Sequence, residues 1–177
     1  RTQYNIKTPF VITYIGRHNK IKGYDILQQV AKKVLKERDD VTFLIGGRPQ
    51  DIPPLEHPRW VELGQINPAD TLMATDLFIL PNRQTYFDLI LLEVLSTGTP
   101  VIASNTGGNK TVYKDTNIIT LYDDVKDCVT KIMSFLDNAN CIKLKQSDKI
   151  KQIWLKNYSP QCFADNYIRM IKGVSNA

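Results

Sequence analysis

Long apolar runs are missing from this 177-residue chain. None approaches the roughly 18 residues of a membrane-crossing helix, and no signal peptide opens the sequence. Cysteine is scarce: Cys128, Cys141 and Cys162 are odd in number and wrongly spaced for a disulfide framework or a zinc site. A reducing, cytoplasmic setting is therefore expected. No repeat or low-complexity segment interrupts the chain, and the phosphate-binding patterns G-x-x-x-x-G-K-[ST] and G-x-G-x-x-G are both missing. The first residue is Arg rather than Met, which suggests a fragment of something longer.

What is present suits a soluble globular domain with its own core: 42% hydrophobic and 23% charged residues over a length typical of one domain. The net charge of +5 and a sequence pI near 9.1 favour an anionic partner: nucleic acid, a phosphorylated ligand or an acidic membrane face. The basic residues are scattered over helices without an interleaved aromatic platform, which argues against nucleic acid.

Apolar β-branched runs predict strands at Phe10–Gly16, Val41–Gly47, Trp60–Gly64, Leu77–Pro81, Pro100–Ser104 and Asn117–Tyr122. Helical patterns lie between them at Tyr24–Arg38, Pro68–Thr75 and after Thr85. Three more are expected at Asp124–Leu136, Ile142–Lys156 and Pro160–Lys172. This alternation predicts an α/β fold: a Rossmann-like, doubly wound parallel sheet of about six strands with helices on both faces. Ligands then bind beyond the carboxyl ends of the strands, near a topological switch point. The loops to inspect are Gly16–Gly23, Gly46–Pro54, Pro81–Asp88 and Ser104–Thr111.

In the first of these, Arg17 and Lys22 bracket a turn before a helix, an arrangement suited to a diphosphate; solvated loop charges are the plainer reading. His18 is expected at the surface, with no partner carboxylate nearby. Thr85 and Asp88 form a T-x-x-D capping box. Glu93 stands in a helix that is apolar all round (Leu89, Ile90, Leu91, Leu92, Val94, Leu95), so a partly buried carboxylate is expected. Its donors could be backbone amides or ligand hydroxyls. Gly107 and Gly108 read as a turn, or as a place where backbone approaches a ligand closely.

Taken in order, GR-x4-KG after a first strand, strand-GG, W-x-x-LG, A-x-D-x-F-x-x-P, an L-L-E helix, T-G-T-P-V-I-A-S and a final T-G-G resemble the C-terminal domain of GT-B glycosyltransferases, closest to the retaining family 4. The resemblance covers about Phe10 to Lys172. It implies a single nucleotide-sugar-binding domain over residues 1–177 (core 10–158, C-terminal helix 160–172), with the N-terminal acceptor domain absent from the chain. By the resemblance, Arg17 and Lys22 contact the donor diphosphate and Glu93 binds the ribose hydroxyls. Gly16, Gly46, Gly47 and Arg48 lie near the nucleotide. No metal or other cofactor is implied, because two cations and a helix N-terminus neutralise the leaving diphosphate. The partners implied are a nucleotide-sugar donor, the missing acceptor domain and an anionic membrane face. The implied location is cytoplasmic, with peripheral association at the inner membrane face.

Departures are concentrated in one turn. The family's E-G-F-G-L stands here as Thr85-Tyr86-Phe87-Asp88-Leu89, so the first Glu of its E-x7-E pair is Thr85. Two glycines are Tyr86 and Asp88, and Thr111 replaces an acidic residue after T-G-G. Asp88 would repel a nearby diphosphate by ~1 kcal/mol in a wet site. The expectation is a donor-binding domain that transfers no sugar alone; the alternative is a non-catalytic partner or scaffold domain.

Overall fold

The computed structural model describes residues 1–175. Six strands, β1 (Phe10–Ile15), β2 (Val41–Gly46), β3 (Trp60–Gly64), β4 (Leu77–Leu80), β5 (Val101–Ser104) and β6 (Thr120–Tyr122), form one sheet in the order 3-2-1-4-5-6. Every pairing is parallel, as continuous apolar strands between helices require. The helices are α1 (Tyr24–Glu37), α2 (Pro68–Ala74), α3 (Leu89–Ser96), α4 (Gly107–Thr116), α5 (Val125–Tyr158) and α6 (Pro160–Ser175). The expected doubly wound α/β class is the one observed.

Successive strand residues point to opposite faces, and the core divides accordingly. Ile12, Tyr14, Phe43, Ile45, Leu77 and Ile79 pack with Leu27, Val30, Val34 of α1 and Ile132, Phe135 of α5. On the other face Phe78, Leu80, Val101 and Ala103 meet Leu91, Val94 and Leu95 of α3 and Val112 of α4. Val11 and Leu44 meet Ala74 of α2. Burying each of the Val, Leu, Ile and Phe side chains among these contributes about 1.5–3 kcal/mol.

Two helices differ from expectation. Residues 125–158 form one helix of 34 residues rather than two. No proline or glycine interrupts that segment, so nothing local stops it until Ser159, held extended ahead of Pro160. Its early residues cover one face of the sheet, and Ile150 belongs to the cluster on the other. The paired glycines, expected in a turn, open helix α4 instead. Glycine and threonine are weak helix formers, so tertiary packing holds this helix, with Val112 fully buried.

Asp76, immediately before β4, is a buried carboxylate. It accepts from the Val11 amide at 2.8 Å and pairs with Arg1 at 2.6 Å. Burial of a charge is tolerated where such partners exist.

Gly23, ahead of α1, adopts φ 67°. A Cβ there would stand 1.8 Å from the Pro81 carbonyl oxygen. We expect Gly23→Ala to cost about 2 kcal/mol or more, from the left-handed backbone and the overlap together. Urea unfolding followed by circular dichroism measures it, and a loss below about 0.5 kcal/mol contradicts the contact.

Candidate functional site

The chain leaves β1 toward β2 and leaves β4 toward β5, so their loops diverge and open a crevice. The 16–23 and 81–88 loops meet there and are locked together. Gly23 packs on the Pro81 carbonyl. The Arg83 amide donates to Ile21 O at 3.0 Å, and its guanidinium reaches Lys20 O at 2.8 Å and both Asp25 oxygens at 2.5 and 2.6 Å. That bidentate pair holds the Asp25 carboxyl below the usual range, chiefly through the Arg83 hydrogen bonds.

A cleft of about 540 Å³ opens between the loops, lined by Arg17, Lys22, Thr85, Tyr86, Phe87 and Asp88 among others. A second of about 380 Å³ shares Arg17, Lys22, Phe87 and Asp88 and adds Gly16, Asn82, Leu89 and Ile90. The two cations predicted from the 16–23 loop therefore face the turn predicted from the 81–88 loop. Arg17 is exposed. Its carbonyl accepts from the Tyr14 hydroxyl at 2.8 Å, a phenol whose pKa is raised mainly by burial and secondarily by Asp88. The Lys22 amide is fixed by the Asn19 side chain at 2.9 Å.

Lys22 and Asp88 form an ion pair at 2.5 Å, their side chains only 22% and 14% exposed. The other Asp88 oxygen accepts from the Asn82 amide. Asn82 is buried, and its carbonyl accepts from Ser104 Oγ at 2.6 Å. So Asp88 precedes α3 in the N-cap position but makes no side-chain capping bond; the expected capping box is replaced by a bond to Lys22. No local pattern flags Asn82 or Ser104; only the pairing of β4 with β5 brings them together.

Gly47 lies against Gly16, whose carbonyl oxygen would be 1.9 Å from a Cβ on Gly47. Arg48 is exposed and Gly46 is buried. Tyr86 is fully exposed, and Phe87 leans on Tyr158 with ring centroids 6.4 Å apart. The paired glycines face protein: a Cβ on Gly107 would come within 1.7 Å of Thr85 O, and one on Gly108 within 2.3 Å of Tyr86 O. Glu93 is exposed rather than partly buried, because α3 buries only Leu91, Val94 and Leu95. It lies one turn beyond Leu89, which lines the second cleft, and so on the same face of the helix. Glu93 itself lines neither cleft. Among the described residues no group of three or more His, Cys, Asp or Glu comes together to hold a metal ion.

His18, expected at the surface, is fully buried. Its ring stacks on Tyr24 at 4.0 Å and 5°, and Nε2 stands 3.7 Å from Glu62 of β3, too far for a hydrogen bond. Glu62 instead accepts from Tyr24 OH at 2.5 Å and Trp60 Nε1 at 2.7 Å. The carboxylate comes from β3, far along the chain and beyond the reach of local spacing. Burial lowers the His18 pKa below its ordinary value of 6.5, and Glu62 only partly opposes this. Below pH 6.5 the unfolded chain then binds a proton that the folded chain resists, so stability falls as pH falls through that range. Melting temperatures at pH 7.5 and pH 5.5 should separate more in the wild type than in His18→Gln. An equal separation contradicts this placement.

Residues 9–138, well over half of the chain, match the family described as Glycosyl transferases group 1. Among similar curated proteins, the D-inositol 3-phosphate glycosyltransferase 1 of Catenulispora acidiphila is 29% identical over 133 residues, 59% of this chain and 30% of that protein. The sulfoquinovosyl transferase of Arabidopsis thaliana is 33% identical over 146 residues, 72% of this chain and 26% of that protein. The chain thus spans under a third of either. Of solved structures, HepE of Anabaena in complex with UDP-glucose superposes with a TM-score of 0.82 at 16% identity, over 98% of this chain and 51% of that one. The C-terminal domain of the group 1 protein LpcC from Francisella tularensis gives 0.76 at 17% identity, over 90% and 91%.

Proposed function

This chain belongs to the group 1 glycosyltransferases, and we propose from that premise that it is the donor-binding half of such an enzyme, holding a nucleotide-diphosphate sugar in the crevice beyond β1 and β4. The observation that carries this reading is the convergence of Arg17 and Lys22 with the 85–88 turn on shared clefts at the switch point of a 3-2-1-4-5-6 sheet. Arg17 faces the diphosphate with an exposed guanidinium, and Lys22 reaches it once released from Asp88. Glu93, exposed on the face of α3 that continues from Leu89, is free to accept from ribose hydroxyls; an exposed carboxylate suits that role better than a buried one. Gly16 and Gly47 bring backbone close to the nucleotide, and Arg48 flanks the base.

The HepE structure, which contains UDP-glucose, supports a uridine donor as the first to try. Transfer proceeds without a metal in this reading, since Arg17, Lys22 and backbone amides neutralise the leaving diphosphate. The acceptor-binding half is supplied by the rest of the enzyme, so binding without turnover is expected of the 177 residues alone. No helix among the described residues is long and apolar enough to cross a membrane. The net charge of +5 suits peripheral contact with the anionic inner face of a membrane from the cytoplasm.

A second reading, a non-catalytic scaffold, is favoured by Thr85 at the acidic position and by the neutralisation of Lys22. Calorimetry with UDP separates the two. We expect binding that weakens about tenfold in Arg17→Ala and about three- to tenfold in Glu93→Ala. Absence of binding, to UDP and to other nucleoside diphosphates alike, selects the scaffold.

A further inference from the structure

The Lys22–Asp88 pair occupies the place where the donor's charge is to be received. Asp88 Oδ1 sits on Lys22 Nζ at 2.5 Å, and Oδ2 is held by the buried Asn82. Both residues line both clefts. The carboxylate is anchored from behind and is not a mobile surface group, and the lower effective dielectric of a partly buried site strengthens its attraction to Lys22. Arg17 forms no ion pair among the described residues. The cradle therefore presents a net charge near one, where its two cations alone would present two.

Resting on the donor-site reading above, we propose that Asp88 is a specificity-determining residue: an internal counter-ion that competes with ligand phosphate for Lys22 and so discriminates among ligands by their charge. A ligand phosphate must displace the carboxylate from Lys22 or share the lysine with it, and the repulsion grows with ligand charge. A free nucleoside diphosphate ends in a phosphate monoester, with roughly one more negative charge than the same phosphate esterified to a sugar. Asp88 consequently weakens binding of the spent nucleotide more than binding of the sugar donor. The effect is to favour exchange of product for fresh donor.

The test is calorimetry on the 177-residue chain, on Asp88→Asn and on Asp88→Ser, titrated with UDP, UDP-glucose and uridine. Asp88→Asn should tighten UDP about tenfold, equivalent to ~1.4 kcal/mol, and UDP-glucose about threefold. Uridine binding should stay unchanged, and adding Lys22→Met should abolish the gain for UDP. Asp88→Ser reports the same trend if the Asn variant fails to fold, which melting curves reveal. UDP bound equally or more weakly by the variants overturns the inference while leaving the donor site standing. So does a gain shared by uridine. Binding of neither UDP nor any other nucleoside diphosphate by any of the folded proteins overturns both.

Discussion

The contact on which the site depends is between two pieces of backbone. Gly23 ends the first loop in a left-handed conformation with its α-carbon against the Pro81 carbonyl, so the loops after β1 and β4 cannot separate. Arg83 reinforces that contact by binding Asp25, Ile21 and Lys20 at once. Everything of interest follows from this closeness: Lys22 reaches Asp88, Arg17 faces the 85–88 turn, and two clefts share one set of charges. The same economy of space recurs at α4, whose opening glycines lie under the carbonyls of Thr85 and Tyr86. The site is a meeting of three loops whose glycines serve mainly to let backbones touch.

Carboxylates in this protein sort by what surrounds them. Asp76 is buried and doubly partnered, a structural charge. Glu62 gathers Tyr24 and Trp60 and stands beside a neutral-leaning His18. Glu93 is exposed, open to a ligand. Asp88 is intermediate, largely withdrawn from water yet set in a cleft wall against a cation. A charge in that position is costly unless used, since it is neither a core fastener nor a solvated surface group.

The fold was legible because its signals are local and repeated. Six apolar β-branched runs, most of them separated by helical patterns, are legible in the chain, and the parallel doubly wound sheet follows. The misreadings lie where local signals conflict with context. Two glycines and two threonines argue against α4, which exists because Val112 and the 85–88 turn hold it. The break expected near residue 140 had no proline or glycine behind it, and α5 runs through.

At the site, the sequence by itself determined which residue types are available: Arg17, Lys22 and Asp88 in loops at the carboxyl end of the sheet, and Glu93 within the helix that follows. It also located the unusual turn, Thr85-Tyr86-Phe87-Asp88. Only the tertiary structure decided their relations. Lys22 and Asp88 are separated by 66 positions yet share a proton-donating bond. His18 lies in the loop after β1 and Glu62 on β3, and the exposure of Glu93 depends on how α3 rolls against the sheet. Residue pattern reports the propensity of a segment; charge pairing and burial are properties of what neighbouring strands carry beside it, which spacing along one segment does not contain.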